Sequence, residues 1–165
     1  WFHTGAFLGR ENILTQFASD YWYEEMARQG FTVTAAEHHL DDARIVPAPG
    51  LAADYTDHMS GLEWQQALRA CKGFGICAET FAYDAPLTGA TAAELQTQLT
   101  PYSVSSKNCT VELLQPKGQN RYAVFTVKDS ETLTYAYERE LENAHISHDL
   151  NIVYDEFGNV LEISF

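Results

Sequence analysis

The sequence predicts an α+β protein, with a helical, irregularly connected stretch over residues 1–101 and an antiparallel β meander over residues 102–165. Three observations predict it. Apolar residues recur every three to four positions over residues 9–30 and again after Ser60, the period of a helix with one buried face. Ser60 and Thr91 each stand three residues ahead of a glutamate, Glu63 and Glu94, the spacing of a capping box at a helix start. From Tyr102 onward the pattern changes to short β-rich runs separated by turn residues.

In chain order, Ile13, Phe17 and Tyr21, with Leu14, Ala18 and Trp22 beside them, predict one helix over 9–30 that stops at Gly30. The neighbouring rings of Tyr21, Trp22 and Tyr23 are expected in the core with their polar tips toward water, rather than as a stacking platform for a sugar or base. Residues 31–60, interrupted by Pro47, Pro49 and Gly50, are expected to form an exposed connection with one short strand near 31–34. A second helix then runs from Ser60 to Lys72 and Gly73, a strand covers 76–83, and a short helix from Thr91 is stopped by Pro101.

The second half predicts strands over 109–114, 122–127, 132–138, 150–154 and 160–165. Turns are expected at 116–120, at Lys128-Asp129-Ser130, at Asn143 and at Asp155-Glu156-Phe157-Gly158. In the last hairpin Leu150, Ile152 and Tyr154 share one strand face, as do Leu161, Ile163 and Phe165, which implies a sheet face, and the segment on its own is expected to expose an apolar surface. Asp155 at the first turn position and Gly158 at the fourth fit a type I turn followed by a glycine bulge, with Asn159 tolerating the irregularity.

Composition narrows the partners. A chain of 165 residues can bury a substantial core, and its net charge of −13, from 23 acidic against 10 basic residues, repels phosphate backbones and anionic lipid surfaces. Nucleic acid and direct membrane insertion are therefore not expected, and no run of about eighteen apolar residues is present to span a bilayer. The chain opens on Trp1 rather than Met and ends on a strand, so it is read as a piece of a longer protein whose export signal is not visible here. Cys71, Cys77 and Cys109 allow at most one bridge and match no common zinc or redox spacing; buried free thiols are expected.

No reactive constellation emerges. Glu37, His38, His39, Asp41 and Asp42 are the densest set of potential metal ligands, but adjacent residues point apart, and a solvated acidic loop is expected. His145 and His148, near Glu140, Glu142 and Asp149, lie in a strand-like pattern that sends them to opposite faces, and the helical HExxH arrangement is absent. Gly73-Phe74-Gly75 is a lone GxG at a helix exit, and neither GxSxG nor a phosphate-binding loop occurs. No catalytic, cofactor-binding or metal-binding residue is assigned, no cofactor is expected, and the chain is expected not to be an enzyme. Two rivals are a metal-dependent enzyme using His145 and His148, and a secreted β-rich binding module recognising a receptor or glycan through Trp22, Tyr23 or Tyr135.

Several separated motifs carry a family resemblance. VELLQPKGQNRYAVF at 111–125, LTYAYERE at 133–140, ISHDL at 146–150 and DEFGNVLE at 155–162, with WFHTGAFL at 1–8 and ALRACKG at 67–73, occur in one order. Together they resemble the B component of bacterial insecticidal toxin complexes of the TcaC/TcdB type, in the middle-to-C-terminal region that leads into a shell of RHS/YD repeats. The resemblance implies that residues 102–165 begin an RHS-type β shell. With the C component, that shell encloses a toxic effector and hands it to the A-component channel. It implies as partners the C component and the effector, with the A-component channel met through other parts of the parent protein, and an extracellular location within a secreted complex. The β-propeller and the self-cleaving region of such complexes match nothing here, so no functional residue is carried over. The Ala/Thr/Leu-rich segment from Thr80 to Pro101 departs from the family pattern and reads as an insertion.

Overall fold

Residues 103–115 and 124–136 mix β-branched, small and apolar residues in the way a pleated, half-buried surface requires, and they form the two long strands on which the rest is laid. The computed structural model describes residues 1–10, 12–33, 40–82, 84, 88–155 and 157–164, and at Ile152 the backbone alone. Strand β3 (Ser103–Gln115) pairs antiparallel with β4 (Val124–Ala136), β4 with β5 (His145–Tyr154), and β5 with β6 (Val160–Ser164). The expected antiparallel meander is thus present. The other edge of β3 is shared end to end: β2 (Cys77–Thr80) lies antiparallel along 103–106, and β1 (Arg44–Pro47) lies parallel along 110–113. The first half of the sequence therefore contributes two strands to the same sheet.

The first strand is not where the sequence places it. Residues 31–33 hold no regular structure, and β1 forms at Arg44–Pro47 instead. A proline there costs no ladder bond, because β1 is an edge strand. The expected turn at Lys128-Asp129-Ser130 is not a reversal either. Asn108 pairs with Glu131 and Cys109 with Asp129, which leaves Ser130 without a counterpart in β3. This is a β-bulge inside one long strand, built from residues that also make turns. Across it the buried positions of β3 change from Val104 and Asn108 to Cys109, Val111 and Leu113, as a one-residue slip dictates.

The single helix expected over 9–30 is two pieces, a 3₁₀ turn at Thr15–Asp20 and helix α1 (Trp22–Arg28), separated by an extended Tyr21 at φ −77° and ψ 158°. Carboxylates from far along the chain hold the start of each piece. Asp42 accepts the N–H groups of Ile13 and Leu14 at 2.7 and 2.6 Å, and Glu79 of β2 accepts that of Trp22 at 2.9 Å. Both satisfy orphan donors at a helix start, which no local side chain does here. Gly30, at φ +85°, ends α1 as expected. Helices α2 (Gly61–Ala70) and α3 (Ala92–Leu99) begin on the predicted capping boxes of Ser60 with Glu63 and of Thr91 with Glu94.

Helices α1 and α2 cover one face of the sheet. Tyr21, Trp22, Tyr23 and Met26 of the first piece and Ala67, Leu68 and Cys71 of the second pack with Val104, Cys109, Val111, Leu133, Tyr135 and Tyr137. The Trp22 ring meets Tyr137 edge-on at 5.3 Å, and Tyr135 stacks on Tyr137 at 5.6 Å. The three cysteines are free and buried, as expected. Burial pushes the Cys77 thiol up to about 11, and the neighbouring Cys71 together with burial pushes Cys109 up, so both stay protonated.

Candidate assembly surface

The surface that stands out is the terminal hairpin of β5 and β6. Strand β5 pairs with β4 only from His145 to Leu150; beyond that point it has β6 alone. The departure coincides with the bulge at Ser130, where the Asp129 carbonyl accepts hydrogen bonds from the Tyr154 hydroxyl and, at 3.3 Å, from the Asn151 amide. The Lys128 ammonium lies 5.7 Å from the centre of the Tyr154 ring. The bulge thus frees a backbone acceptor, and the hairpin is fastened to it.

The turn forms as its residues predict. The Gly158 N–H donates to the Asp155 carbonyl at 3.1 Å, and the Asp155 N–H to the Asn159 carbonyl at 2.9 Å. Gly158 has φ +86°, the left-handed conformation of a glycine bulge. The Asp155 carboxylate accepts from the N–H groups of Phe157 and Asn159 at 2.9 and 2.7 Å and from the Asn159 amide at 2.8 Å. These donors, the Asn159 side chain foremost, hold the Asp155 carboxyl below its usual range.

The apolar residues of this hairpin are exposed, as expected of the segment on its own. Phe157 is 82% exposed and Leu161 66%, and Leu150, Val153, Val160 and Ile163 are exposed as well. Irregularities between Asn151 and Val153 and between Val153 and Tyr154 break the two-residue alternation of β5. The side chain of Ile152 and all of Phe165 lie outside the described residues. Strand β6 ends the strand order, with no further strand on its outer side among the described residues. The arrangement leaves a group of apolar side chains uncovered on one hairpin, which is chemistry for contact with another part of an assembly.

The other residues singled out in the sequence do not converge. His145 and His148 lie on β5 opposite Ala136 and Leu133, three positions apart and so on opposite faces. The His148 Nε2 lies 2.8 Å from Glu131, whose other oxygen accepts from the Asn108 amide at 3.2 Å. Asp149 takes a 3.5 Å contact from Ser147. Of the acidic loop, Glu37, His38 and His39 lie outside the described residues, and Asp42 is occupied as a helix cap. Among the described residues no group of three or more His, Cys, Asp or Glu is placed to hold a metal. Trp22, Tyr23 and Tyr135 are 3%, 4% and 9% exposed, so the rings named for a glycan-binding surface are in the core. The C-cap of α2 is Cys71 rather than Gly73, which lies at φ +86° in the turn that follows, closed by the Phe74 N–H donating to the Cys71 carbonyl at 2.9 Å.

One feature has no signal in the sequence. Arg139 forks onto Asp84 with contacts of 2.6 and 3.4 Å, donates to the Thr97 carbonyl at 3.3 Å and lies over the Tyr102 ring. It ties the segment around α3 to the connection after β4, across 55 residues of chain. That connection holds Glu138 and Arg139 at φ +50° and +69°, both in the left-handed region.

Comparison with known proteins bears on this fold. Among solved structures, the chain is similar to part of the Photorhabdus luminescens Tc holotoxin pore, with a TM-score of 0.62 and 19% identity over 99% of its length. It is similar to part of the TcdB2–TccC3 structure with a TM-score of 0.58 and 18% identity over 85%. The TcdB2–TccC3–Cdc42 structure gives 0.55 and 20% over 78%. The chain spans about 6% of each of those chains, and at these identities the likeness is one of fold. No curated protein matches the sequence. The family described as the insecticide toxin TcdB middle/C-terminal region matches residues 66–164, from within α2 to the end of β6. With most of its length inside that match, the chain belongs to the insecticide toxin TcdB middle/C-terminal region family.

Proposed function

We propose that this chain is a noncatalytic structural segment of a toxin-complex B component, in which residues 102–165 begin a β shell of RHS/YD-repeat type and residues 1–101 supply a mostly helical cover. With a C component the shell encloses a toxic effector polypeptide and passes it to an A-component channel met by other parts of the parent protein. The complex acts outside the producing cell. The observation that carries this reading is the antiparallel meander of β3 to β6, whose terminal hairpin keeps Phe157, Leu161 and Ile163 exposed. A wall built of successive hairpins leaves such apolar side chains to be covered by neighbouring parts of an assembly. The fold likeness to TcdB2 solved with TccC3 supports the choice of partner.

The test is made in the parent B component. Replacing Phe157, Leu161 and Ile163 together with Ser is expected to prevent a protease-resistant complex with the C component, read by size-exclusion chromatography and by protection of the effector from protease. A variant that assembles and protects as well as the unaltered protein would overturn the proposal.

A further inference from the structure

His3 is only 1% exposed, although both of its neighbours in the chain, Phe2 and Thr4, are exposed. The backbone holds it there, because residues 1–3 run against the corner between α2 and β2. The His3 N–H donates to the Phe74 carbonyl and the Gly73 N–H to the His3 carbonyl, both at 2.8 Å, and the Ile76 N–H to the Trp1 carbonyl at 3.0 Å. The ring has partners for one protonation state. Its Nδ1 accepts the Gly5 N–H at 2.9 Å, so in the neutral ring the proton sits on Nε2. Nε2–H is met by the Ile13 backbone, and the Gln16 amide lies 3.2 Å away, its buried oxygen otherwise without a partner among the described residues. The imidazolium carries N–H on both nitrogens and would set Nδ1–H against the Gly5 N–H. Gly5, at φ +81°, is packed closely, since a Cβ there would stand 3.1 Å from the Lys72 Cβ.

We propose that His3 is an acid-released latch: as the neutral Nε2–H ring it fastens residues 1–8 over the corner at 73–76, and on taking a proton at Nδ1 it loses the Gly5 bond, leaves the core and releases that segment. Burial holds the imidazole below its usual value, against the opposing pull of its Ile13 hydrogen bond and of Asp42. Asp42, which also caps Ile13 and Leu14, is the acidic group facing the ring, and Arg69 and Lys72 stand beside Gly5. Residues 12–16 and 73–76 add no titratable side chain. The released ring, with an ordinary value of about 6.5, takes up the proton that the buried ring refuses, so the latch is full above that value and weakens by up to about tenfold per pH unit below it. Ordinary carboxylates titrate about two units lower, which leaves the window from about pH 7 to about pH 5 to histidine. The latch is independent of the shell assignment.

Amide exchange of the 165-residue chain, followed by NMR and corrected for its intrinsic pH dependence, tests the latch. From about pH 7 to about pH 5 the Gly5, Gly73 and Ile76 amides are expected to lose about tenfold or more of their protection, while those of β3 and β4 keep theirs and report that the chain stays folded. His3→Asn keeps an acceptor near the Nδ1 position and cannot take the charge, so its segment should stay protected across the window. Glu79, whose carboxyl is also pushed up by burial where it caps Trp22, remains in that variant and serves as the internal control. If the Asn variant does not hold the segment at either pH, the ring nitrogen shifts of His3 in the unaltered chain decide: a neutral Nε2–H form should gain its proton together with the loss of protection. Protection at residues 3–5 and 73–76 that does not change across the window, the same loss in His3→Asn, or a loss without protonation of His3 would overturn the inference.

Discussion

The Glu63 carboxylate accepts the backbone N–H of Lys117 at 3.1 Å, joining the first turn of α2 to the loop between β3 and β4. The same group accepts from the Tyr55 hydroxyl and from the Ser60 backbone and hydroxyl, at 3.1, 2.9 and 2.8 Å. Burial pushes the Glu63 carboxyl up, but the donors from Ser60, Lys117 and Tyr55 outweigh it and hold the carboxyl below its usual range. A carboxyl so depressed adds stability above its unfolded value, about 4.3, that is lost as pH falls through the folded value. Glu63→Ala should lower stability by about 2 kcal/mol at neutral pH, the scale of a hydrogen bond to a charged group. Urea midpoints between neutral pH and about pH 3 should also fall less steeply for the variant than for the unaltered chain. Parallel pH profiles would contradict this.

Stability and association should separate along the sheet. Leu68 is fully buried between α2 and the strands, and Leu68→Ala should cost about 3 kcal/mol through lost burial and the cavity left behind. Leu161→Ser with Ile163→Ser removes only exposed groups and should leave the urea midpoint within about 0.5 kcal/mol of the original. It should instead reduce self-association of the chain through its apolar hairpin face, measured by sedimentation velocity. A hairpin double variant that unfolds as readily as Leu68→Ala would mean that the hairpin is part of the core.

What could be read from the sequence follows from how local each cause is. The two capping boxes and the Asp155 to Gly158 turn depend on residues within four positions of one another, and all three form as expected. At the break at Tyr21 the Trp22 N–H is taken by Glu79, which reaches it only through the fold, so a continuous apolar stripe concealed the break. Lys128-Asp129-Ser130 misled for a different reason: the residues that favour a turn also favour a bulge, and only the partner strand decides between them. The apolar character of the last hairpin was legible from its residues, and the exposure of Phe157 and Leu161 agrees with it. The register shifts in β5 were not legible, because alternation alone does not reveal a bulge.

Glu138 and Arg139 occupy left-handed backbone without being glycine. Such a residue costs about 1–2 kcal/mol, which glycine avoids at an entropy cost of up to about 1 kcal/mol, so Glu138→Gly should stabilise by about 0.5 kcal/mol and Glu138→Val should destabilise. Arg139→Ala acts elsewhere. It releases Asp84 and the Thr97 carbonyl, so amide exchange should accelerate in α3 while the β3 and β4 amides stay protected. Unchanged exchange in α3 would show that the segment is held by other contacts.

Gly158 supplies the positive φ that lets β6 return beside β5, at +86°, and an added Cβ would meet open space, so the penalty for a side chain there is conformational alone. Gly158→Ala should therefore weaken the hairpin by about 1 kcal/mol, and Gly158→Asn by less, because Asn tolerates the left-handed region. Because β6 carries none of the buried core, the loss should appear as faster amide exchange in β6 while the global urea midpoint is nearly unchanged. The Asp155 carboxyl, held low by its donors, adds a pH dependence of known sign: β6 protection is full above the usual carboxylate range and is lost as pH falls through the folded value. Asp155→Ala should remove that dependence. A hairpin equally protected with alanine at 158, or one whose exchange shows no acid limb beyond the intrinsic one, would mean that apolar contacts between β5 and β6, rather than the turn, set the register.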